Sequence, residues 1–432
     1  MTSLIVAAIT CILLILSVLF FPKVSIGKIT LNTYWIICSI AAVFLLTTNQ
    51  LSMTDAFKGL TSASSVNPIK IVVLFISMTL LSIFLDEVGL FRYLATVCAK
   101  RAKTTQYSLF ILLYIMVSIL TVFTSNDIVI LTFTPFICYF SKSTKINPIP
   151  FLVAEFCAAN TWSMMLIIGN PTNIYLAGSF GIGFLEYLKV MLLPTILAGI
   201  TEIILICLIF RKTLKQPLKI DLEDEKITDF KGLVVGLIHL LGCLVMLILS
   251  TNLALEMWII CLGFALSLVI SVSILNIIEK KSFKNLLNTF KRLPYDLIPF
   301  VFSMFIIVLA LNKHGITNYL TNFFGEDIII LKYGVSSFLT CNLINNIPMS
   351  VLFSTVPHMS TTLGNQQAVF STIIGSNIGA FLTPVGALAG IMFTSLVQKQ
   401  DVKYSFRTFI KYGFIISIPT LLMALIGLMI VL

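Results

Sequence analysis

Charge is scarce in this chain: of 432 residues, 28 are Lys or Arg, 18 are Asp or Glu, and only three are His. At 11% charged it falls far below the roughly one quarter usual for a soluble domain. The nine cysteines lie almost wholly inside apolar runs, with no CxxC spacing and no Cys/His cluster. They read as small apolar residues, which excludes a disulfide framework and a metal centre. No nucleophile–base constellation, phosphate loop or zinc motif occurs, so an enzyme is not expected and neither cofactor nor metal is called for. What fills the chain instead is hydrophobic sequence, 58% of residues with a mean hydropathy of +1.05.

That surplus is organised in lengths that suit a bilayer. Runs near 3–21, 32–48, 69–86, 187–210, 232–250, 256–278, 295–311 and 409–432 each approach the roughly 20 residues a helix needs to cross. Segment 1–21 lacks a basic start and runs into Pro22-Lys23 without a small-residue cleavage pattern, so it reads as a retained span and not a signal peptide. Four further runs, 105–140, 151–178, 330–357 and 366–397, are apolar but interrupted, and read as two re-entrant hairpins and two broken helices. If each half crosses five times, one face receives 23 of the 28 Lys and Arg and the other only Lys58, Lys70, Lys189, Lys313 and Lys332. Positive charge collects on the cytoplasmic side, so the net charge of +10 is sidedness and not a nucleic-acid surface. Both termini are expected outside a multi-pass protein of the cell membrane.

The interruptions come in matched pairs. Thr124-Ser125-Asn126-Asp127 and Asn342-Leu343-Ile344-Asn345-Asn346-Ile347-Pro348 break the hairpin runs. Gly169-Asn170-Pro171-Thr172-Asn173 answers Gly375-Ser376-Asn377-Ile378-Gly379 with Thr383-Pro384-Val385-Gly386. Trp35-Ile36-Ile37-Cys38 recurs as Trp258-Ile259-Ile260-Cys261, an offset of 223, and Ser77-Met78, Gly89 and Tyr93-Leu94 recur at an offset of 226. The expected organisation is a first transmembrane repeat, 1–210, a cytoplasmic linker, 211–231, carrying Asp221-Leu222-Glu223-Asp224-Glu225, and a second repeat, 232–432. An odd number of crossings inverts the second repeat, and matched breaks then meet about an axis in the membrane plane. The fold class is an all-α membrane protein of about ten spans in two inverted-topology repeats, each with a re-entrant helical hairpin and a broken helix.

Unwound backbone is tolerated at membrane depth only where protein or a water-filled cavity supplies partners, so the breaks mark a solvated site. Half-helix N-termini attract anionic or oxygen-rich solutes and C-termini coordinate cations. The candidate substrate-binding groups are Ser125, Asn126, Asn160, Thr161, Gly169, Asn170, Thr172 and Asn173 in the first half. Their counterparts are Asn345, Asn346, Ser376, Asn377, Gly379, Thr383 and Gly386. Asp127 is an ionisable group inside a membrane segment, by default a proton or cation site, and is the candidate for proton coupling. Glu155 and Glu202 also fall in spans, near enough to the cytoplasmic ends to be interfacial. All Lys and Arg fall in loops or span ends, which leaves the core without a fixed cation.

These motifs resemble the arsenite/antimonite permeases of the ion transporter superfamily. Ser125-Asn126-Asp127 followed by Leu131-Thr132-Phe133-Thr134-Pro135 is similar to that family's Ala-Asn-Asp hairpin and downstream Leu-Thr-Pro. Asn345-Asn346-Ile347-Pro348 is similar to its Asn-Asn-(Met/Leu)-Pro hairpin, and Gly379–Ala389 echoes its second break. Where several relatives carry Gly-Asp-Pro, this chain has Gly169-Asn170-Pro171. The resemblance implies proton-coupled efflux of arsenite or antimonite by alternating access, with a soluble ATPase subunit as a candidate partner beside the lipid bilayer and the small-molecule substrate. A sodium- or proton-coupled carboxylate or inorganic anion carrier of the same superfamily is the alternative.

Overall fold

A computed structural model describes residues 2–21, 23–26, 29–61, 67–102, 105–218, 227, 229–315, 324, 325, 327–354, 361–400 and 402–432. The acidic stretch 221–225 and the repeat pair Tyr319-Leu320 lie outside the described residues. The first half runs α1 (Thr2–Phe20), a hairpin of β1 (Lys23–Ile26) and β2 (Ile29–Asn32), then α2 (Thr33–Thr47) and a short amphipathic α3 (Met53–Thr61). It continues through α4 (Pro68–Glu87), α5 (Leu90–Arg101), α6 (Gln106–Phe123), α7 (Asn126–Thr144), α8 (Ile149–Trp162), α9 (Pro171–Ser179) and α10 (Phe184–Ile209). After a short α11 (Arg211–Leu214) come α12 (Phe230–Leu249), α13 (Met257–Ile278), an amphipathic α14 (Lys284–Arg292) and α15 (Leu297–Lys313). The second half closes with α16 (Ile329–Ile344), α17 (Asn346–Phe353), α18 (Thr362–Gly379), α19 (Leu388–Lys399) and α20 (Phe406–Val431).

Among the described residues, seven helical stretches are long and apolar enough to cross a membrane, and α1, α2 and α16 are shorter apolar helices. Ile238, Leu241, Val245, Ile270, Ile274 and Ile277 are exposed along α12 and α13, the lipid-facing surface expected of a helix that water never meets. The interrupted runs break where their polar residues stand, at 124–125, 163–170, 345 and 380–387. The β-hairpin and α5 are additions to the sequence reading.

Pairings recur between the halves. α2 packs on α15 while α13, the other helix bearing the Trp-Ile-Ile-Cys motif, packs on α4. α6 lies on α8 as α16 lies on α18, and α7 meets α19 as α17 meets α9. The α16–α18 seam is close because it is built on glycine: a Cβ at Gly375 would stand 2.2 Å from the Gly334 carbonyl oxygen, and one at Gly379 would stand 2.8 Å from that of Phe338. Small residues at such a seam let backbones approach where no hydrophobic force drives helices together.

Candidate functional site

The two broken helices meet, and their amides close on one another. Pro171 can open α9 because its missing N–H would have no intrahelical partner there, and Asn170 caps the helix by accepting from Thr172 N at 3.2 Å. From the other half, Asn377 Nδ2 donates to Asn173 Oδ1 at 2.8 Å and to the Ile373 carbonyl at 2.8 Å. Its Oδ1 accepts from Asn170 Nδ2 at 3.0 Å and Ser163 Oγ at 3.1 Å. Asn173 Nδ2 reaches the Ser163 and Leu166 carbonyls, and Ser376 Oγ reaches Thr172 Oγ1 at 3.4 Å. Asn377 thereby uses all four of its amide positions. Asn170, Thr172, Asn173, Ser376 and Asn377 form a saturated brace between the halves.

The hairpin tips are less fully engaged. At the first, Asn126 Nδ2 donates to Asn160 Oδ1 at 3.2 Å, and its Oδ1 accepts from Asp127 N at 2.9 Å. Ser125 Oγ is sealed from solvent without a hydrogen-bond partner among the described residues. Asp127 sits in the first turn of α7, where the helix dipole favours a carboxylate. No described cation lies within ion-pair distance of it. At the second tip Asn345 takes φ +70°, a left-handed value costly for a residue with a Cβ. It is held there by Nδ2 donating to the Val385 carbonyl at 2.9 Å and Oδ1 accepting from Ile347 N at 3.4 Å. Asn346 N donates to the Gly386 carbonyl at 3.0 Å, while its side-chain Oδ1 is buried without a hydrogen-bond partner among the described residues. Thr383 donates to Asn342 Oδ1 at 2.6 Å, and Asn342 in turn reaches the Gly379 carbonyl at 2.9 Å.

A cavity of about 310 Å³ opens beside the first tip, walled by Ser125, Asp127, Thr79, Asn32, Tyr34, Arg292 and Asp296. A second, much smaller cavity shares Tyr34, Leu388 and Ile391 with it and touches Asn345 at the second tip. Asp296 is a second carboxylate in this space and accepts from Asn32 Nδ2. Arg292 corrects the expectation of a site without a fixed cation, but its charge is already spent: Nη2 lies 2.6 Å from Asp86 and Nη1 2.6 Å from Glu87. Among the described residues the cavity is lined by two carboxylates and by no cation left unpaired, so an anion would find no fixed positive partner there.

Other candidates lie elsewhere. Thr161 donates to Glu202, and Thr134 donates to both oxygens of Glu155 at 2.9 and 3.0 Å. Both glutamates are buried, at 2% and 0% exposure, so neither is interfacial as expected. Thr79, Asn32, Tyr34, Arg292 and Asp296 escaped the sequence reading. They stand in or beside unbroken runs, and only the fold carries them to the tip.

A family profile described as citrate transporter (CitMHS) matches residues 1–371. The chain belongs to the citrate transporter family. The arsenical pump membrane protein of Escherichia coli is 28% identical over 380 residues, covering 82% of this chain and 84% of that protein. A 46 kDa membrane protein of Mycobacterium leprae is 25% identical over the same share of each chain. The crystal structure of the YdaH transporter of Alcanivorax borkumensis, described as having an unusual topology, superposes with a TM-score of 0.55 over 99% of this chain and 96% of that one, at 14% identity. The citrate transporter family member described here is a multi-pass membrane transporter.

Proposed function

We propose that this transporter is a proton-coupled carrier that exports arsenite or antimonite by alternating access. The observation that carries this reading is the cavity at the first hairpin tip, where Asp127 and Asp296 stand without a free cation among the described residues. A multiply charged carboxylate substrate would meet two acidic side chains there and no unpaired cation among the described residues. A small uncharged hydroxylated metalloid would not, and the similarity to arsenical pump membrane proteins points to the same solute. Asp127 is the coupling group: it has no ion-pair partner among the described residues, lines the cavity and sits on the tip of a re-entrant helix. Of the other candidates, Ser125 lines the cavity, Asn126 and Asn346 at the two tips are the amides offered to the solute, and the brace of Asn170, Thr172, Asn173, Ser376 and Asn377 is the frame.

Alternating access follows from repeats at 1–210 and 232–432 related by an in-plane two-fold, which the recurring pairings of α2 with α15 and α13 with α4 support. With the basic linker 211–231 cytoplasmic and both termini external, the cavity is open to the cytoplasm, because it lies beside α14 and the start of α15. The family match itself favours a second reading, a carboxylate carrier. Expression in an arsenite-sensitive host lacking its own pump separates the two: the account expects resistance, and unchanged sensitivity with citrate uptake would favour the carboxylate reading. Arsenite movement in vesicles without ATP separates a gradient-driven carrier from one that needs a soluble ATPase subunit.

A further inference from the structure

We propose that a cavity between the starts of α4 and α13 is the outer vestibule of the transport path, through which the solute leaves, and that it is the counterpart in the other repeat of the cavity at the first tip. This rests on the alternating-access reading given above.

The α4–α13 cavity has a volume of about 320 Å³ and is also walled by the end of α9 and the turn before α10. It shares no lining residue with the cavity at the first tip, and the two lie toward opposite ends of α4. Lys70, Ile71 and Leu74 line the one, while Phe75, Thr79 and Ile83 line the other. Between Lys70 and Ile83 the helix rises about 20 Å, most of the way through a hydrocarbon core of roughly 30 Å.

The walls of the two cavities correspond position by position. The offset of 226 that carries Ser77-Met78 onto Ser303-Met304 carries Lys70 and Ile71 onto Asp296 and Leu297. The offset of 223 that carries Trp35 onto Trp258 carries Asn32 and Tyr34 onto Leu255 and Met257. Asn32, Tyr34, Asp296 and Leu297 line the cavity at the first tip; their four equivalents line the α4–α13 cavity. A further wall corresponds as well, because α9 supplies Ile174 and Gly178 to one cavity and α19 supplies Leu388 and Ile391 to the other, and α9 packs on α17 as α19 packs on α7. Even the tie between helix starts recurs: Asn32 holds Asp296, and Lys70 holds Glu256, which also accepts from Trp258 Nε1 at 2.8 Å. These are one feature built twice.

The remaining wall differs. The cavity at the first tip includes Ser125 and Asp127, whereas neither Asn345 nor Asn346 of the second tip lines the α4–α13 cavity. Leu74 and Ile174, which do line it, are buried. When the repeats exchange conformations, this cavity opens onto the second tip as the other closes over the first. The tie between Asn32 and Asp296 is intact where the cavity already reaches its tip, so the tie between Lys70 and Glu256 need not break, and the moving wall is α9 with α17. The charge distribution places the start of α4 and the α12–α13 turn outside, so this is the exit. Lys70 and Glu256 neutralise one another there, and an uncharged solute passes without being held.

The test uses the full-length protein in right-side-out vesicles loaded with arsenite, with efflux as the readout and a membrane-impermeant thiol reagent added outside; the parent sets the baseline for the nine native cysteines. Leu255 lines the cavity, while Leu253 stands on the same turn and does not, and both are exposed. Leu255→Cys and Leu253→Cys should both label, with efflux lost on labelling the first and within about twofold of the parent on labelling the second. Ile174→Cys should react about threefold faster or more while the vesicles export arsenite than when arsenite is omitted, as a transient opening requires. Parent-like efflux by fully labelled Leu255→Cys would overturn the proposal, as would an Ile174→Cys labelling rate indifferent to arsenite. So would loss of efflux in both labelled turn variants, or a fall in the unfolding temperature of labelled Leu255→Cys, which mark damage to the turn and not a blocked path. Failure of the underlying reading looks different, because the unlabelled parent would then export no arsenite.

Discussion

Asn377 and Asn346 are both buried amides at helix breaks, and their surroundings give them opposite parts. Replacing Asn377 by Ala strands Asn170 Nδ2 and Asn173 Oδ1 at about 1–3 kcal/mol for each buried group left unpaired, while Ser163 Oγ keeps the Asn160 carbonyl at 2.8 Å. Asn377→Ala should therefore lose folded yield and thermal stability in detergent. Asn346→Ala removes an oxygen that has no partner among the described residues and keeps the backbone bond to Gly386, so it should unfold near the parent temperature yet confer no arsenite resistance. The reverse pattern would exchange the roles of brace and site. Cys157 and Cys341, both buried, stand near these elements, and thiols attract arsenic(III). A carrier must release its cargo, however, and the Cys341 thiol already contacts the Phe338 carbonyl at 3.3 Å. Cys157→Ser with Cys341→Ser should leave resistance largely intact, and its loss at normal expression would show a thiol-binding site instead.

At the scale of elements, the helices that exchange partners between halves are held at both ends. The α2–α15 pair has Asn32 on Asp296 at one end and, through α3, Asp55 on Lys313 at 3.0 Å at the other. The α4–α13 pair has Lys70 on Glu256 and, through α14, Arg292 on Asp86 and Glu87. The Lys313 ammonium holds the Asp55 carboxyl below its usual range. A depressed carboxylate contributes stability above its unfolded pKa and loses it as pH falls through its folded value. Acidification below about pH 4 should therefore lower the parent's unfolding temperature slightly more than that of Asp55→Asn, a small effect because the pair is exposed. Parallel melting curves across pH would show that the contact is idle. The glycine seam should matter more: at Gly375 even a methyl group meets the Gly334 carbonyl and Phe338 N, so Gly375→Val should part α16 from α18. Parent-like unfolding of that variant would contradict the close packing.

For the whole molecule, the broad architecture was legible because membrane burial writes long apolar runs and because breaks in them need polar residues. Ser125–Asp127, Gly169–Asn173, Asn345-Asn346 and Gly375–Gly379 could be found without coordinates for that reason. Hydropathy records how long a segment stays buried, not which way its residues face. Thr79 therefore looked like any span residue, and Asp296, at the start of the run 295–311, carried no signal that set it beside the first tip. Glu155 and Glu202 were misjudged because position along a run does not reveal the Thr134 and Thr161 hydroxyls that receive them. The same limit separates the brace from the amides proposed to face the solute, since both are asparagines at breaks. Sidedness rests on charge alone, and single cysteines at Lys215 and Lys403 should label from the cytoplasm while one at Thr251 labels from outside. External labelling at Lys215 would reverse the orientation.

The most direct test of the account is arsenite accumulation in everted membrane vesicles under an imposed pH gradient, without ATP, comparing the parent protein with Asp127→Asn. The amide keeps the shape of the side chain and cannot titrate. The account predicts saturable, gradient-driven accumulation by the parent, and in Asp127→Asn the loss of that accumulation with arsenite exchange at equal pH retained. Undiminished gradient-driven accumulation in Asp127→Asn, or no arsenite accumulation by the parent, would contradict it.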